Sequence, residues 1–282
     1  MSIPQSLLEQ TIQINIQQAL QEDIGDGDIT ALLTPENEKA TANILSREHM
    51  ILAGQPWVNA LIQSYDSSVE VIWLKNDGDL VEANEVFLTL KGSARSLLTV
   101  ERPALNFIQT LSAVATKTAE YVKHLDGLNT RLLDTRKTLP GLRIAQKYAV
   151  SVGGGQNHRL GLFDAFLIKE NHIMAAGGIT QAIQQAHQIA PGKPVEVEVE
   201  TWDELNQALE AGADIVMLDN FSQQQMIDAV QHVAGRCKLE ASGNITIENL
   251  REVATTGVDY ISMGVLTKDV KAVDLSMRFL KD

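Results

Sequence analysis

The sequence has little cysteine, little positive charge and no long apolar segment. Its 282 residues include one cysteine, Cys237, so no disulfide can form within the chain, and no Cys/His cluster has zinc-like spacing. With 23 Lys and Arg against 36 Asp and Glu, the formal net charge is −13. An acidic protein repels phosphate backbones, so nucleic acid is not an expected partner.

Signals for secretion and for membrane insertion are also missing from the sequence. No Lys or Arg precedes Lys39, whereas a secretory signal begins with basic residues followed by an apolar run. No apolar stretch approaches the roughly 20 residues that a membrane helix needs. We therefore expect a cytoplasmic protein with no membrane partner. The hydrophobic content of 44% is sufficient for a sizeable core.

Two different patterns meet near residue 115. Before that point, a helical segment over about residues 4–22 is followed by short strand-like runs, which indicates a mixed α and β domain. A second helical segment extends from about residue 96 to residue 121, and Pro103 within it predicts a kink or a break.

After residue 115, six short apolar runs end in polar residues, and a helical pattern follows each of the first five. The runs are 131–135, 165–169, 195–199, 215–219, 238–242 and 260–264. Alternating strands and helices pair their strands in parallel with right-handed crossovers. Thr201 and Glu204 predict a capping box, and Ser222 and Thr246 are predicted helix N-caps.

Two architectures fit this alternation, a β/α barrel and a doubly wound open sheet. Polar residues suited to chemistry follow every strand, and in a barrel all such strand ends converge on one mouth. In an open sheet, only the switch point would gather ligand residues. The sequence therefore predicts an α/β protein with two domains. The N-terminal domain consists of residues 1–115, and a β/α barrel of about six or seven strands consists of residues 116–270. Residues 271–282 can pack back on the first domain.

Cationic side chains gather at the predicted strand ends and in a glycine-rich loop. Arg136 and Lys137 follow the first strand, His158 and Arg159 follow three glycines, and Lys169 ends the second strand. Arginine matches a carboxylate with two parallel hydrogen bonds, and lysine supplies a mobile point charge for phosphate. Since such a cluster repels itself when empty, it predicts a polyanionic ligand. The alternative is that each cation pairs with a nearby surface acid.

Acidic residues end two of the same strands. Glu198 and Asp219 lie at the ends of apolar runs, where burial without a partner is costly. They are suited to hold ribose hydroxyls, to bind Mg²⁺ through water or to stabilise developing positive charge. The alternative is an ion pair with Lys169 or Arg136. Spacing alone does not separate Glu198 from its alternating neighbours.

Glycines at the later strand ends are compatible with a phosphate site. Ser242-Gly243-Asn244 precedes a helical pattern, where backbone N–H groups and the helix dipole favour a terminal phosphate. Gly264 would let a phosphate approach the backbone closely. An ordinary strand-to-helix turn explains these residues equally well. The run Gly153–Gly155 suits a phosphate cradle or a flexible lid, and it matches neither a Walker loop nor the dinucleotide fingerprint.

Longer motifs in this sequence resemble those of the quinolinate phosphoribosyltransferase family, also called carboxylating nicotinate-nucleotide pyrophosphorylases. The matching segments are EDIGDGDIT (22–30), ERPALN (101–106), DTRKT (134–138), GGGQNHRLG (153–161), KENH (169–172), LDNF (218–221) and SGN (242–244). They occur in order over nearly the whole chain, and their length makes chance a poor explanation.

The resemblance implies an N-terminal α/β sandwich, a C-terminal β/α barrel and a homodimer in which one subunit lends Arg102 to the partner's site. The resemblance implies three sets of substrate-binding residues, and Thr135 of the DTRKT motif is added to them. The two carboxylates of quinolinate are bound by Arg102, Arg136, His158 and Arg159. The diphosphate and ribose of phosphoribosyl pyrophosphate are bound by Lys137, Lys169, Glu198 and Asp219, and its 5-phosphate by Ser242, Gly243, Asn244 and Gly264.

The implied reaction joins quinolinate to phosphoribosyl pyrophosphate and releases CO₂ and pyrophosphate, giving nicotinate mononucleotide for NAD biosynthesis. Lys137, Lys169, Glu198 and Asp219 are the predicted catalytic residues, and the two acids are predicted to hold Mg²⁺ through water. Three alternatives stay open: a related phosphoribosyltransferase for another aromatic acid, a Schiff-base lyase that uses Lys169 as the amine, and a metabolite-binding regulator without catalysis.

Overall fold

The computed structural model of the chain describes residues 2–280, and it mixes helices and strands throughout. The helices are α1 Gln5–Ile24, α2 Gln55–Tyr65, α3 Ala94–Lys123, α4 Arg143–Val152, α5 Glu170–Ala176, α6 Ile179–Ile189, α7 Trp202–Glu210, α8 Gln223–Val233, α9 Leu250–Ala254 and α10 Val265–Lys268. The strands are β1 Lys39–Ser46, β2 Met50–Ile51, β3 Glu70–Trp73, β4 Leu80–Val81, β5 Val86–Ser93, β6 Arg131–Leu133, β7 Phe166–Ile168, β8 Val195–Val199, β9 Ile215–Asp219, β10 Lys238–Ser242, β11 Tyr260–Ser262 and β12 Leu275–Phe279.

By their internal contacts, the residues form two compact units that interleave along the chain. One unit contains residues 120–137 and 155–265, and the other contains residues 2–119, 138–154 and 266–280. The domain limits predicted near residues 115 and 270 stay a prediction, because a grouping by contacts does not show which segments fold independently.

The unit that holds the N-terminal residues is built on an antiparallel sheet with the strand order β12-β1-β5-β3. Its last strand comes from the end of the chain, and Phe279 of β12 lies opposite Ala42 of β1. Ala42 and Ile44, which alternate along β1, are buried in the apolar core. Trp57 of α2 donates its indole N–H to Asn15 of α1 over 3.1 Å, which ties the two helices together.

The long helix α3 continues through Pro103 without a break. Proline lacks the N–H that would bond to the carbonyl of Thr99, so the helix loses one hydrogen bond there. Leu97, Leu105 and Ile108 on either side are buried. We attribute the continuity of the helix to the burial of this apolar stripe, which outweighs one lost bond.

The other unit is built on a parallel sheet with the strand order β6-β11-β10-β9-β8-β7. Neighbouring strands are consecutive along the chain, except that the last strand, β11, pairs with the first, β6. A doubly wound sheet would instead reverse its winding at a switch point. Between β6 and β7, Gln156 of the glycine-rich loop forms an isolated parallel bridge with Leu133. The predicted barrel architecture is therefore confirmed.

Three predicted strands, β8, β9 and β10, have the predicted limits, while β6 and β11 end two residues earlier than predicted and β7 is one residue shorter at each end. The capping box of Thr201 and Glu204 and the N-cap at Ser222 are present. The predicted N-cap at Thr246 is wrong. Helix α9 begins only at Leu250, because residues 246–249 form a turn closed by the Asn249 side chain on the Thr246 N–H (2.8 Å).

Within residues 2–280, every helix falls short of the length or the apolar character that crossing a membrane requires.

Candidate active site

The carboxyl ends of the parallel strands carry most of the predicted site residues. Thr135, Arg136 and Lys137 follow β6, Lys169 follows β7, Glu198 lies near the end of β8, Asp219 and Ser242 end β9 and β10, and Gly264 follows β11. Asp219 and Ser242 are partners in the strand register, so these ends lie at one level. This is the edge at which barrels place their ligand-binding residues.

Three predicted cations line one cavity of about 610 Å³, namely Arg136, Arg159 and Lys169. The Arg159 residue is only 9% exposed. Burial, together with the neighbouring Arg136, lowers the pKa of its guanidinium. The Nε atom of Arg136 is buried without a hydrogen-bond partner among the described residues. Glu196 and Asp164 act in the opposite direction on Arg159, and an anionic ligand would further offset the repulsion between the two guanidinium groups.

Of the glutamates in and just after β8, Glu198 is the one that lies at the edge where the strands end. Glu198 is partly buried and forms an ion pair with the Lys169 ammonium. This is the pairing that the sequence left open as an alternative to ligand binding. Glu196 lies one layer deeper and is 3% exposed, while Glu200 has left the strand and is exposed. The position of Glu198 at the edge therefore follows from the strand register and its burial.

Gly264 lies against the residues that follow β6. A Cβ atom at this position would lie 2.9 Å from Cδ of Lys137 and 3.4 Å from Oγ1 of Thr135. The Thr135 hydroxyl also accepts the Lys137 backbone N–H over 3.1 Å, which fixes the turn. The structure thus brings these three predicted residues together, and Lys137 is exposed at the rim.

The loop after β10 is organised by Asn220, which was not predicted as a site residue. Asn244 donates its side-chain amide N–H to the side-chain oxygen Oδ1 of Asn220 over 3.1 Å. Gly243 has a φ of 91°, and a Cβ there would lie 2.4 Å from that same oxygen, so glycine is required. With Asn220, these residues line a cavity of about 270 Å³. No helix starts directly after them, contrary to the sequence expectation, since α9 begins at Leu250.

Asp134, another residue whose role was not predicted, anchors the loop that carries His158 and Arg159. Its carboxylate is fully buried and accepts the Asn157 side-chain amide over 2.7 Å and the His158 backbone N–H over 2.9 Å. These two bonds hold the loop against the end of β6. The signal in the sequence was an aspartate at the end of an apolar run, where burial demands hydrogen-bond partners.

His158 lies next to two buried carboxylates. Its Nε2 atom is 2.9 Å from Oε2 of Glu196 and 3.5 Å from Oε2 of Glu240, and its Nδ1 atom accepts the Arg159 backbone N–H over 2.8 Å. Burial raises the pKa of Glu196 to about 7, and burial with the adjacent Glu196 raises the pKa of Glu240 to about 8. The sequence left the role of Glu196 open and gave no role to Glu240, although it interrupts an apolar run.

His172 and Arg102 have simpler surroundings than His158 and Arg159. His172 accepts the Lys169 backbone N–H at Nδ1 over 3.0 Å and so supports the start of α5. Arg102 is exposed on α3 in the other unit. There it lines a cavity of about 290 Å³ together with Asp23, Asp28 and Thr99.

Comparison with known proteins covers nearly the whole chain. Residues 28–112 match the model of the quinolinate phosphoribosyl transferase N-terminal domain, and residues 114–278 match that of the C-terminal domain. A Bacillus subtilis protein named probable nicotinate-nucleotide pyrophosphorylase (carboxylating) is 44% identical over 261 residues, which are 91% of this chain and 89% of that one. A Nicotiana tabacum quinolinate phosphoribosyltransferase (decarboxylating) is 39% identical over 284 residues, covering 93% of this chain and 81% of its own.

Solved structures agree with the sequence comparison. The nicotinate-nucleotide pyrophosphorylase of Francisella tularensis superposes with a TM-score of 0.94 at 49% identity, covering 99% of this chain and 98% of that chain. Both the sequence relatives and this structure span the two units described above. The chain therefore belongs to the quinolinate phosphoribosyltransferase family.

Proposed function

We propose that this chain transfers the phosphoribosyl group of phosphoribosyl pyrophosphate to quinolinate, with loss of CO₂, to give nicotinate mononucleotide and pyrophosphate. One observation carries the proposal: in a family member with a net charge of −13, Arg136, Arg159 and Lys169 line a single cavity, together with mostly apolar residues of β7, α5 and α6. Quinolinate is a dianion, and two guanidinium groups match two carboxylates in charge and in hydrogen-bond geometry. The product places the reaction in NAD biosynthesis.

Phosphoribosyl pyrophosphate is proposed to bind along the neighbouring strand ends. Lys137, beside Thr135 and Gly264, is exposed at the rim and suited to the diphosphate. The loop at Ser242, Gly243 and Asn244 is proposed for the 5-phosphate. Its positive-φ backbone turns leave room for close approach of a ligand to the chain.

Glu198 and Asp219 are the proposed contacts of the ribose. Asp219 ends β9, and Glu198 is the second-last residue of the adjacent parallel strand β8. Carboxylate oxygens are the donors that Mg²⁺ prefers, and Mg²⁺ commonly uses one or two carboxylates together with water and substrate phosphates. This pair fits that requirement. When bound, the ion would neutralise charge on the departing pyrophosphate.

The chemistry that the protein's own residues supply is mainly positioning and electrostatic stabilisation. The pyridine nitrogen forms a bond to the anomeric carbon while the bond from that carbon to pyrophosphate breaks. Lys137 and Lys169 stabilise the negative charge on the leaving group, and Glu198 and Asp219 stabilise the oxocarbenium character of the ribose. The pyridinium ring then accepts the electron pair of the bond that releases CO₂, and a solvent proton replaces the carboxylate.

Arg102 is proposed to complete the quinolinate site of a second subunit in a homodimer. The side chain is exposed on α3, and its neighbours Asp28 and Thr99 are hydrogen-bonded to each other over 3.0 Å. The family resemblance is what supports this proposal. A cytoplasmic location is also proposed, because a chain with one cysteine suits a reducing compartment.

The decisive experiment is the formation of nicotinate mononucleotide by the purified chain with quinolinate, phosphoribosyl pyrophosphate and Mg²⁺. Arg136→Ala should lower kcat/KM for quinolinate by about a hundredfold, since it removes a charge-assisted contact to a carboxylate. Arg131→Ala, an exposed arginine at the other end of β6, is the matched control and should behave as wild type. Turnover of nicotinate in place of quinolinate would identify a related transferase instead.

The Schiff-base alternative has less support from the geometry. A lysine that attacks a carbonyl requires a free amine in an apolar or otherwise activating pocket. Lys169 instead forms an ion pair with Glu198 and shares its cavity with Arg136 and Arg159. Covalent trapping of a carbonyl substrate by borohydride would nevertheless support that alternative.

A further inference from the structure

Asn220 follows β9 with its backbone in the left-handed region. Its φ is 57°, a conformation that asparagine and glycine adopt more readily than other residues. The Asn220 backbone N–H donates to the carbonyl oxygen of Ser242 over 3.2 Å, which joins the segments that leave β9 and β10. A Cβ on Gly243 would lie 2.4 Å from Oδ1 of Asn220, so the loop backbone packs directly on the Asn220 side chain.

The side-chain amide of Asn220 makes two contacts of opposite kind. Its Nδ2 atom lies 3.0 Å from Oδ2 of Asp219, and its Oδ1 atom lies 3.1 Å from Nδ2 of Asn244. An ionised carboxylate can only accept hydrogen bonds, so the amide nitrogen has to face Asp219 and the oxygen has to face Asn244. A flipped amide would direct oxygen at oxygen and nitrogen at nitrogen, and both bonds would be lost. The two neighbours therefore fix the amide in one orientation.

Both neighbours keep the capacity to bind a ligand. A carboxylate has about four positions for hydrogen bonds, and the side-chain nitrogen of Asn244 carries two N–H groups. One bond to Asn220 therefore leaves Asp219 able to contact the ribose and Asn244 able to contact the 5-phosphate. Asn249 holds the other end of the same loop, since its side chain donates to the Asn244 carbonyl oxygen over 3.3 Å and accepts the Thr246 N–H over 2.8 Å.

The amide of Asn220 thus connects two groups that are proposed to hold different parts of one substrate. The ribose and its 5-phosphate are covalently joined, so the carboxylate and the loop have to be held at a fixed separation. We propose that Asn220 is a positioning residue for phosphoribosyl pyrophosphate, which orients the Asp219 carboxylate through Nδ2 and the loop at Gly243 and Asn244 through Oδ1. This rests on the proposed function, in which Asp219 contacts the ribose and the loop binds the 5-phosphate.

Asn220→Gly tests the amide without straining the backbone. Glycine adopts a positive φ readily, so this variant removes both side-chain bonds and keeps the turn. Asn84→Gly is the matched control, because Asn84 is also exposed, has a φ of 67° and donates its backbone N–H to a carbonyl oxygen, that of Ser46. The two variants lose the same side chain and gain the same freedom in the unfolded chain.

Binding of each substrate alone to the full-length chain is the measurement, by titration calorimetry. The Kd for phosphoribosyl pyrophosphate should rise by about tenfold in Asn220→Gly, the effect of about one net hydrogen bond. The Kd for quinolinate should change little in the same variant, because the residues proposed for its carboxylates are untouched. Asn84→Gly should bind both substrates as wild type does.

Asn220→Asp separates the two contacts of the amide. Aspartate tolerates the left-handed backbone and keeps an oxygen for the Asn244 N–H, but it cannot donate to Asp219 and adds a like charge beside it. The Kd for phosphoribosyl pyrophosphate should therefore rise at least as much as in Asn220→Gly. A wild-type Kd in Asn220→Asp would show that the bond to Asp219 contributes nothing, and the proposed connection would be wrong.

Three other results would overturn the proposal. They are an unchanged Kd for phosphoribosyl pyrophosphate in Asn220→Gly, an equal rise in the Kd for quinolinate, which would mark a residue that only supports the fold, and an equal loss in Asn84→Gly. Thermal unfolding followed by circular dichroism confirms that each variant is folded at the temperature of the titration. If the variants rank as expected but the wild-type chain makes no nicotinate mononucleotide, the proposed function is what fails.

Discussion

Glu196 and Glu240 are carboxylates that the barrel interior accommodates at an electrostatic cost, because both side chains are buried. Burial raises the pKa of Glu240 to about 8, well above the value of about 4.5 expected in the unfolded chain, and the neighbouring Glu196 adds to the shift. The folded state therefore keeps this proton longer than the unfolded state does. The linkage makes the free energy of unfolding largest below the unfolded pKa, and it falls as the pH rises from about 4.5 to about 8.

Glu240→Gln removes this titration, so the variant should gain stability relative to wild type as the pH rises. We expect the Tm of the variant relative to wild type to rise by at least about 4 °C from pH 5 to pH 8.5, because a pKa difference of one unit corresponds to about 1.4 kcal/mol and about 1 kcal/mol moves Tm by about 2–4 °C. Thermal unfolding followed by circular dichroism measures it. The exposed Glu210→Gln makes the same charge change and should show no such trend. A difference that is constant with pH would contradict the assignment.

Lys137 tests the proposed division of the site between the two substrates. Lys137→Ala removes a point charge proposed for the diphosphate, so kcat/KM for phosphoribosyl pyrophosphate should fall by about tenfold or more while quinolinate affinity is nearly kept. Steady-state kinetics with each substrate varied in turn gives both values. Lys238→Ala, whose exposed lysine pairs with Asp259 at the other end of the barrel, is the control. A larger effect on quinolinate would reverse the assignment.

At the scale of elements, the crossover helices are defined by local capping. Ser222 accepts the Gln225 N–H at the start of α8, and the Gln225 side chain accepts the Ser222 N–H over 2.9 Å. The box satisfies two of the N–H groups that the first turn leaves unpaired. The same pattern at Thr201 starts α7. Short polar motifs therefore set where these helices begin, while their buried stripes set how they pack.

Ser222→Ala should lower the free energy of unfolding by about 1 kcal/mol, the usual cost of losing an N-cap. Urea unfolding at equilibrium measures the change as a shift of the midpoint. Gln231→Ala, at an exposed position within the same helix, should stay within about 0.5 kcal/mol of wild type. The two variants would unfold at the same urea concentration if the capping box contributed nothing.

At the scale of the whole molecule, the proposal of shared sites predicts complementation between subunits. Arg102→Ala and Arg136→Ala should each inactivate the homodimer, because each removes a carboxylate contact. A mixed dimer has one site that lacks both arginines and one intact site, so purified mixed dimers should regain roughly half of the wild-type activity. Two different affinity tags allow the mixed species to be isolated. Mixed dimers as inactive as either parent would exclude the lending of Arg102.

The sequence by itself determined the alternation of strands and helices, and the comparisons bear out the family that its motifs indicate. These features are local: a strand ends where an apolar run meets polar residues, and motifs such as DTRKT or KENH are contiguous. The same locality explains the capping boxes at Thr201 and Ser222. It also explains the error at Thr246, where a side-chain bond from Asn249 forms a turn in place of the first helical turn.

Only the tertiary structure decided how the strands close and which side chains meet. The pairing of β11 with β6 joins segments more than 120 residues apart, and it is this closure that distinguishes a barrel from an open sheet. Glu240 contacts His158 because two strands and a loop converge in the fold. The spacing of these two residues along the chain does not predict that contact. A carboxylate within an apolar run indicates that it has a hydrogen-bonding or charged partner. Only the fold identifies that partner, because burial is a property of the packed structure.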